Sequence, residues 1–280
     1  MTGMTRRFFQ VDVFAGAPLG GNPLAVVLDA QGLNEAHMRD LARWTRLSET
    51  TFVLPPTDPQ ADYRVRIFTP SAELPFAGHP TLGTCQAWLW AGGVPRQDGR
   101  VIQECAIGLV EVRQQGDRLA FAAPPLRRTG PLDETTLSQI CMALGLSSEQ
   151  IRGHQWVDNG AGFAALLLDS AATVLAVQPD LARLGSLKVG IVGPHPQGGP
   201  ADFEVRAFVP ALGVGEDPVT GSLNAGLAQW LLGQGLAPNP YTARQGTCLG
   251  HDGRVELSRE ADQVWVAGRV VRCIQGQISL

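Results

Sequence analysis

The sequence Arg66-Ile67-Phe68-Thr69-Pro70 returns about 140 residues later as Arg206-Ala207-Phe208-Val209-Pro210. A short loop follows each stretch and leads into a Gly- and Pro-containing segment that is typical of a helix start. These segments are Gly78-His79-Pro80-Thr81-Leu82-Gly83 and Glu216-Asp217-Pro218-Val219-Thr220-Gly221-Ser222. Since solenoid repeats recur every ~20–50 residues, a repeat this long instead predicts two similar domains, each presenting a helix N-terminus.

The order of strand-like and helix-like segments predicts an α/β (α+β) fold with two pseudo-symmetric domains. Strand-like runs are adjacent to one another, which favours mixed or antiparallel sheets over a doubly wound parallel sheet. Each half has one long helix without a charged residue, from Pro80 to Trp90 and from Pro218 to about Leu232. A helix without a polar face is normally buried, so each sheet is expected to curl around its helix.

We place the domains at residues 1–125 and 126–280, with the C-terminal segment able to complete the last strands of the first domain. Asn34 and Asp133 are predicted to begin capped helices, and the second of these ends at Leu144 before Gly145. The stretch 173–177 is predicted to be a strand of the second domain.

The composition of the chain limits which binding partners and which cellular compartment are expected. The 280 residues include 22 Lys and Arg and 26 Asp and Glu, a net charge of -4. There is no basic run, so nucleic acid is not an expected partner. No stretch of about 18 apolar residues exists, and no apolar segment follows the arginines at the N-terminus. We therefore expect no membrane association and no signal peptide, and a cytoplasmic location.

The cysteines and histidines show no metal-ligand spacing. There is no C-x-x-C pair and no H-x-x-x-H pair, so we expect neither a metal nor a cofactor. The cysteines are expected to be free buried thiols, and none lies at a predicted helix start, which argues against a symmetric pair of catalytic thiols. They are Cys85, Cys105, Cys141, Cys248 and Cys273.

Two ionisable residues stand directly before the prolines of the predicted helix starts. Asp217 before Pro218 is a good helix N-cap, and this structural role fits the sequence as well as a role in a site does. His79 before Pro80 takes the same place in the first half, although histidine caps helices less well. An ionisable group at both places suggests that both face a ligand, whereas His79 alone would more often be structural.

The helix starts also offer backbone donors. Gly78, Gly221 and Ser222 can present N–H groups to a closely approaching ligand, and Ser222 can add a hydroxyl. Two helix N-termini facing one cleft would form a pocket for a small anion.

Glu49 is the third candidate for the site. It lies at a loop-to-strand junction, where a carboxylate is most often simply solvated. Glu73 and Glu216 are acidic loop residues of the same kind and fit a site less well. Arg66 and Arg206 are predicted to be ion-pair partners on strand faces rather than site residues.

Several segments together resemble the PhzF-like isomerase family of phenazine biosynthesis, over nearly the whole chain. They are Phe9-Gln10-Val11-Asp12-Val13-Phe14, Gly21-Asn22-Pro23-Leu24-Ala25-Val26, Leu47-Ser48-Glu49-Thr50-Thr51-Phe52-Val53, Phe76-Ala77-Gly78-His79-Pro80-Thr81-Leu82-Gly83 and Glu216-Asp217-Pro218-Val219-Thr220-Gly221-Ser222. The resemblance implies the diaminopimelate-epimerase-like fold, in which two pseudo-symmetric domains enclose the site, and a homodimer.

The resemblance also implies roles for individual residues. Glu49 corresponds to the glutamate that moves a proton on a cyclic dihydro-hydroxyanthranilate. His79 and Asp217 correspond to residues that line the pocket, and Gly78 and Ser222 to residues that hold the substrate.

We therefore expect a cofactor-free isomerase that moves a proton within a small carboxylate-bearing substrate, with Glu49 as general base and then acid. One alternative is an epimerase of amino or hydroxy acids that uses Glu49 with Asp217 or His79 as two bases. Another is a small-acid binding protein that has kept the pocket without turnover.

Overall fold

The computed structural model describes residues 4–212 and 215–280 and divides the chain into two units. The first unit contains the residues up to Ala122 together with Ala267–Leu280, and the second contains Ala123–Val266. The C-terminal segment Ala267–Leu280 therefore lies with the first unit.

The first unit is a mixed sheet of β-strands with two helices. Antiparallel pairs β17–β1 and β1–β2 are followed by parallel β2–β3, antiparallel β3–β4, parallel β4–β6 and antiparallel β6–β7 and β7–β8, while the short β5 pairs with β4. Its strands are β1 (Thr5–Val13), β2 (Asn22–Val27), β3 (Glu49–Leu54), β4 (Tyr63–Phe68), β5 (Glu73–Leu74), β6 (Arg100–Cys105), β7 (Gly108–Gln115), β8 (Arg118–Ala122) and β17 (Val270–Ser279). Its helices are α1 (Glu35–Thr45) and α2 (Gly78–Trp90).

The second unit repeats this pattern of strand directions. Antiparallel β9–β10 is followed by parallel β10–β11, antiparallel β11–β12, parallel β12–β14 and antiparallel β14–β15, while the short β13 pairs with β12. Its strands are β9 (Ile151–Trp156), β10 (Phe163–Leu168), β11 (Lys188–Pro194), β12 (Phe203–Phe208), β13 (Glu216–Asp217), β14 (Tyr241–Gln245), β15 (Gly253–Glu260) and β16 (Gln263–Gly268). Its helices are α3 (Glu134–Leu144), α4 (Ala171–Ala176), α5 (Leu181–Leu184) and α6 (Gly221–Gly233).

The helices α2 and α6 are the charge-free helices of the two halves, and most of their residues are buried. Each carries a glycine as its sixth residue where a neighbour approaches closely. A Cβ atom on Gly83 would lie 2.6 Å from the Leu24 side chain, and one on Gly226 would lie 2.4 Å from the Val157 carbonyl oxygen. Glycine at these places therefore lets each helix pack directly against the strand or loop beside it.

The repeated arginines fix the short strands β5 and β13. Arg66 donates two hydrogen bonds to the carboxylate of Glu73, both at 2.7 Å, and Arg206 does the same to Glu216 at 2.9 and 2.8 Å. A paired guanidinium and carboxylate bind with two parallel bonds, which fixes orientation as well as distance. The prediction that both arginines are ion-pair partners is confirmed, and Glu73 and Glu216 are their partners.

The predicted helix caps are confirmed, and one predicted strand is wrong. The side chains of Asn34 and Asp133 accept backbone hydrogen bonds at the starts of α1 and α3, and Gly145 ends α3 in the left-handed conformation. The stretch 173–177 is not a strand, because α4 covers most of it and the Ser170 side chain caps that helix. The apolar run there is too short for its periodicity to distinguish a strand from a buried helix.

Candidate active-site residues

Glu49 and His79 lie next to each other in the first unit. Glu49 is the first residue of β3, and His79 is the second residue of α2, which packs against β3. Glu49 Oε2 is 3.2 Å from His79 Nε2, and the two side chains are 14% and 7% exposed. The structure thus brings together two of the three ionisable residues that the sequence singled out, in a largely water-excluded place.

Burial sets the protonation state of His79. Loss of hydration penalises the imidazolium and lowers the pKa of His79 from 6.5 to about 3. The imidazole is therefore neutral at pH 7, and each of its two ring nitrogens can either donate or accept a hydrogen bond, depending on the tautomer. A neutral histidine beside a carboxylate can stabilise that carboxylate through an N–H bond without forming a full ion pair.

The start of α2 presents backbone donors beside this pair. Ala77 is the N-cap residue, and its side chain makes no capping bond to the helix. The first N–H groups of an α-helix have no partner within the helix, and the helix dipole makes this end partly positive. Gly78 is the first residue of α2, so its N–H is one of these donors.

A buried set of polar side chains holds α2 against the sheet. The Thr84 hydroxyl donates to Thr51 at 2.8 Å, and the Gln103 amide donates to the Thr81 hydroxyl at 3.0 Å. Tyr63 in turn donates to Gln103 at 3.0 Å. Sequence reasoning missed these residues, and the only signal was the presence of threonines in an otherwise apolar helix.

In the second unit, Asp217 is held by the residue that caps α6. Its Oδ2 accepts a hydrogen bond from the Thr220 hydroxyl at 2.5 Å. The prediction that Asp217 caps a helix beginning at Pro218 is wrong, because Asp217 lies in β13 and α6 begins at Gly221 with Thr220 as its N-cap. A proline after an acidic residue is a common start signal, but here the non-helical residues 218–220 separate Asp217 from the first residue of α6.

Gln245 fixes the segment between β13 and α6. Its amide nitrogen donates to the Asp217 carbonyl and to the Thr220 hydroxyl, both at 3.0 Å. Its amide oxygen accepts from the Thr220 N–H at 3.0 Å and from the Asn224 side chain at 2.8 Å. Gln245 is completely buried, and four hydrogen bonds satisfy the whole capacity of its amide group. It was not predicted, since glutamine in a strand carries no sequence signal of this role.

The two helix starts correspond residue by residue. Gly78 and Gly221 are the first residues of α2 and α6, so the counterpart of His79 is Ser222 and not Asp217. Asp217 pairs with Ala207 just as Leu74 pairs with Ile67. The expected parallel between His79 and Asp217 is therefore corrected, and the two units carry different chemistry on the same scaffold.

The starts of α2 and α6 contain no cysteine. Cys85 lies in the body of α2, and burial raises its pKa, which keeps it a thiol. Cys248 is exposed, so the prediction of buried thiols fails there and fully holds only for Cys85 and Cys105. Among residues 4–212 and 215–280, no group of His, Cys, Asp and Glu is arranged to hold a metal ion. None of the helices in these ranges has the length and apolar character that crossing a membrane requires.

Comparison with known proteins gives consistent matches along the chain. The model of the PhzC-PhzF family, described as phenazine biosynthesis-like protein, matches residues 11–276. The antisense-enhancing sequence 1 protein of Schizosaccharomyces pombe is 35% identical over 292 residues, covering 96% of this chain and 97% of that protein. The trans-2,3-dihydro-3-hydroxyanthranilate isomerase of Pseudomonas aeruginosa is 35% identical over 227 residues, covering 79% and 78%.

A solved structure supports the same relationship. A predicted epimerase from Pseudomonas aeruginosa superposes with a TM-score of 0.76 at 31% identity, covering 98% of this chain and 99% of that one. The fold is accordingly of the diaminopimelate-epimerase-like class that the sequence predicted.

Proposed function

The chain belongs to the phenazine biosynthesis-like protein family, a family of isomerases, and we propose that it moves a proton within a small carboxylate-bearing substrate without using a cofactor. The observation that carries this proposal is the 3.2 Å approach of Glu49 Oε2 to His79 Nε2 in a buried setting at the start of α2. A carboxylate can both take and return a proton, so the reaction needs no second reagent.

We assign the proton transfer to Glu49. Its carboxylate removes a proton from one carbon of the substrate, and the electrons of the broken C–H bond enter the adjacent double-bond system. The double bond shifts, and the protonated Glu49 returns the proton to a different carbon. The enzyme ends in its starting state, and positioned general acid–base catalysis of this kind contributes about 10²–10⁴-fold in rate.

His79 supports Glu49 without carrying a charge. Because burial lowers its pKa to about 3, the ring is neutral at pH 7 before the substrate binds. Oε2 of Glu49 and Nε2 of His79 are 3.2 Å apart but are not aligned for a hydrogen bond. In the tautomer with the proton on Nε2, a small rotation of the ring would let it donate to the Glu49 carboxylate and stabilise it. When Glu49 has taken the substrate proton, that hydrogen bond weakens and the proton can be returned.

The other predicted residues are assigned to substrate binding. The N–H groups at Gly78, Gly221 and Ser222 belong to helix starts whose N-cap side chains make no capping bond, and such ends bind carboxylates. Asp217, oriented by Thr220, is suited to accept a hydrogen bond from an amino or hydroxyl group. A substrate that carries both an acid and an amine therefore fits best, and trans-2,3-dihydro-3-hydroxyanthranilate, the compound named for the relative in Pseudomonas aeruginosa, is the first candidate.

The test is deuterium uptake from heavy water into this compound. The wild-type protein should place deuterium at a carbon other than the one that loses the proton. Glu49→Gln keeps the size of the side chain but cannot carry the proton, and it should lower the uptake by roughly 10²-fold or more. Glu149→Gln, at an exposed position, is the matched control and should leave the uptake unchanged. Normal uptake by Glu49→Gln would refute the assignment.

The second candidate function is epimerisation of an amino or hydroxy acid, which the 31% identity to a predicted epimerase favours. Deuterium would then appear at the starting carbon with inversion of its configuration. Binding without any uptake, across a panel of small acids, would instead identify a binding protein.

A further inference from the structure

The first unit contains a cavity of about 670 Å³ far from Glu49 and His79. β3 begins at Glu49 and ends at Leu54, and α2 begins beside His79 and ends at Trp90. Leu54 and Trp88, near the far ends of these two elements, line the cavity, which places it roughly 15 Å from the Glu49–His79 pair. The lining includes Arg6, Arg7, Asp29, Leu54, Pro56 and Trp88.

The charged groups of this cavity do not balance. The Arg7 guanidinium binds the Asp29 carboxylate with two hydrogen bonds at 2.6 and 2.7 Å. This interaction is the main reason that the pKa of Asp29 is lowered, and Arg6 makes a smaller contribution. Two guanidinium groups therefore share one carboxylate. The other acid of the lining, Asp62, pairs with Arg96, whose Nε lies 3.8 Å from its Oδ1, and it also accepts bonds from the backbone N–H groups of Arg96 and Ile102.

Arg6 is the cation that lacks a partner. It is only 4% exposed, and its Nη1 donates to the Asp29 carbonyl oxygen rather than to a carboxylate. Within the part of the chain that the structure describes, Arg6 forms no ion pair, and its buried Nε has no hydrogen-bond partner. A buried charge is strongly unfavourable unless it is paired, so an anion is expected from outside the chain.

We propose that this cavity is a second binding site, for a small organic monocarboxylate with an apolar body. One unbalanced guanidinium matches one negative charge, which favours a carboxylate over a phosphate dianion. Leu54, Pro56 and Trp88 supply an apolar wall for the hydrocarbon part of the ligand. The volume falls within the range of about 300–1,000 Å³ that is usual for small-molecule sites.

The test uses benzoate as the probe and NMR titration of the backbone amides as the readout. The amides of Gly32 and Gly92, which line the cavity, should shift in a saturable manner. Benzyl alcohol has the same ring without the charge and should bind at least about tenfold more weakly. Arg6→Met keeps most of the side-chain length and should lose at least about tenfold in affinity.

A second pair of variants changes an exposed residue, so these variants avoid the risk that a substitution at a buried position prevents folding. Gln31 is exposed at the edge of the cavity, so Gln31→Glu should weaken benzoate binding and Gln31→Lys should strengthen it. If the cavity amides do not respond up to the solubility limit of benzoate, or if neither Gln31 variant changes the titration, the proposal is wrong. Glu49→Gln should leave the titration of the cavity amides unchanged, so this result and that of the deuterium experiment are independent.

Discussion

The contact between Glu49 and His79 shows how one residue can determine the state of another. Burial keeps His79 neutral, so the ring places no positive charge beside the Glu49 carboxylate. An imidazolium at 3.2 Å would instead hold the carboxylate in its charged form. Glu49 and His79 are both recognisable from short motifs.

The lowered pKa of His79 predicts a loss of stability in mild acid. The unfolded chain binds a proton on this histidine below about pH 6.5, whereas the folded protein does so only near pH 3. The free energy of unfolding should therefore fall as the pH drops through this window, by on the order of 2 kcal/mol at pH 5 from this group. Urea unfolding of the wild type and of His79→Gln at about pH 7.5 and about pH 5 measures the difference.

The contribution of His79 is the difference between the pH dependence of the wild type and that of His79→Gln. His37→Gln, at an exposed position of α1, should follow the wild type at both pH values. Parallel behaviour of His79→Gln and the wild type would show that His79 is already protonated in the folded protein.

Asp217→Asn should separate ligand contact from stability. Asparagine keeps the oxygen that accepts the 2.5 Å bond from Thr220, so the free energy of unfolding should change by less than about 1 kcal/mol. If Asp217 binds the substrate, deuterium uptake should fall by about tenfold or more. Full activity in a stable variant would remove Asp217 from the site.

At the scale of elements, the capped helices and the alternating strands were predictable because their signals are local. Asn34, Asp133 and Gly145 act within one turn of the chain, and so the sequence is enough. The bonds of Gln245 are different, because they join β14 to a segment more than 20 residues earlier. The hydrogen bonds of the buried threonines of the first unit also join residues that are far apart in the sequence, which is why these residues were missed. Glu49 and His79, in contrast, were found through motifs.

Gln245→Met should destabilise the second unit strongly. Methionine fits the volume but leaves the Asp217 carbonyl, the Thr220 N–H and the Asn224 amide without their partner in a buried place. The expected loss is about 3–5 kcal/mol in the free energy of unfolding. Gln277→Met, at an exposed position of β17, should stay within about 0.5 kcal/mol. An equally small effect at Gln245 would mean that water replaces these bonds.

Two glycines of the same helix should respond in opposite directions to alanine. Gly226→Ala places a methyl group 2.4 Å from a backbone carbonyl oxygen that cannot move aside easily, and it should cost about 2 kcal/mol or more. Gly233, at the end of α6, has nothing within 4 Å of the added atom, so Gly233→Ala should stabilise by about 0.5–1 kcal/mol. Thermal unfolding of both variants tests the pair, and equal effects would contradict the packing described for α6.

At the scale of the whole molecule, one scaffold occurs twice with different chemistry on each copy. The arginine–glutamate pairs and the helix glycines are shared, whereas His79 is replaced by Ser222. The shared parts are those that the repeat in the sequence indicates. The residue-by-residue correspondence between the two copies could not be predicted from the sequence. The prolines after His79 and Asp217 suggest that these two residues correspond, whereas the helix starts show that His79 corresponds to Ser222.

We expect the protein to be a homodimer, as the family resemblance implies. Large apolar side chains at the surface, such as Leu19 at 79% and Trp44 at 77% exposure, are available for contact between copies. Light scattering after gel filtration should give about twice the chain mass of 29.8 kDa. A mass that equals one chain at every concentration would contradict this expectation.

The pairing of the first strand with the last also determines the order of events during synthesis. Thr5 lies opposite Ser279 and Val13 opposite Val270, so β1 cannot pair with this neighbour until residues 270–279 have been synthesised. The second unit, Ala123–Val266, is one continuous segment, and all of it is made before this neighbour of β1. The N-terminal part of the chain must wait with an unpaired strand edge, and this open edge is the place where a chaperone or a mispaired neighbour would act on the nascent protein.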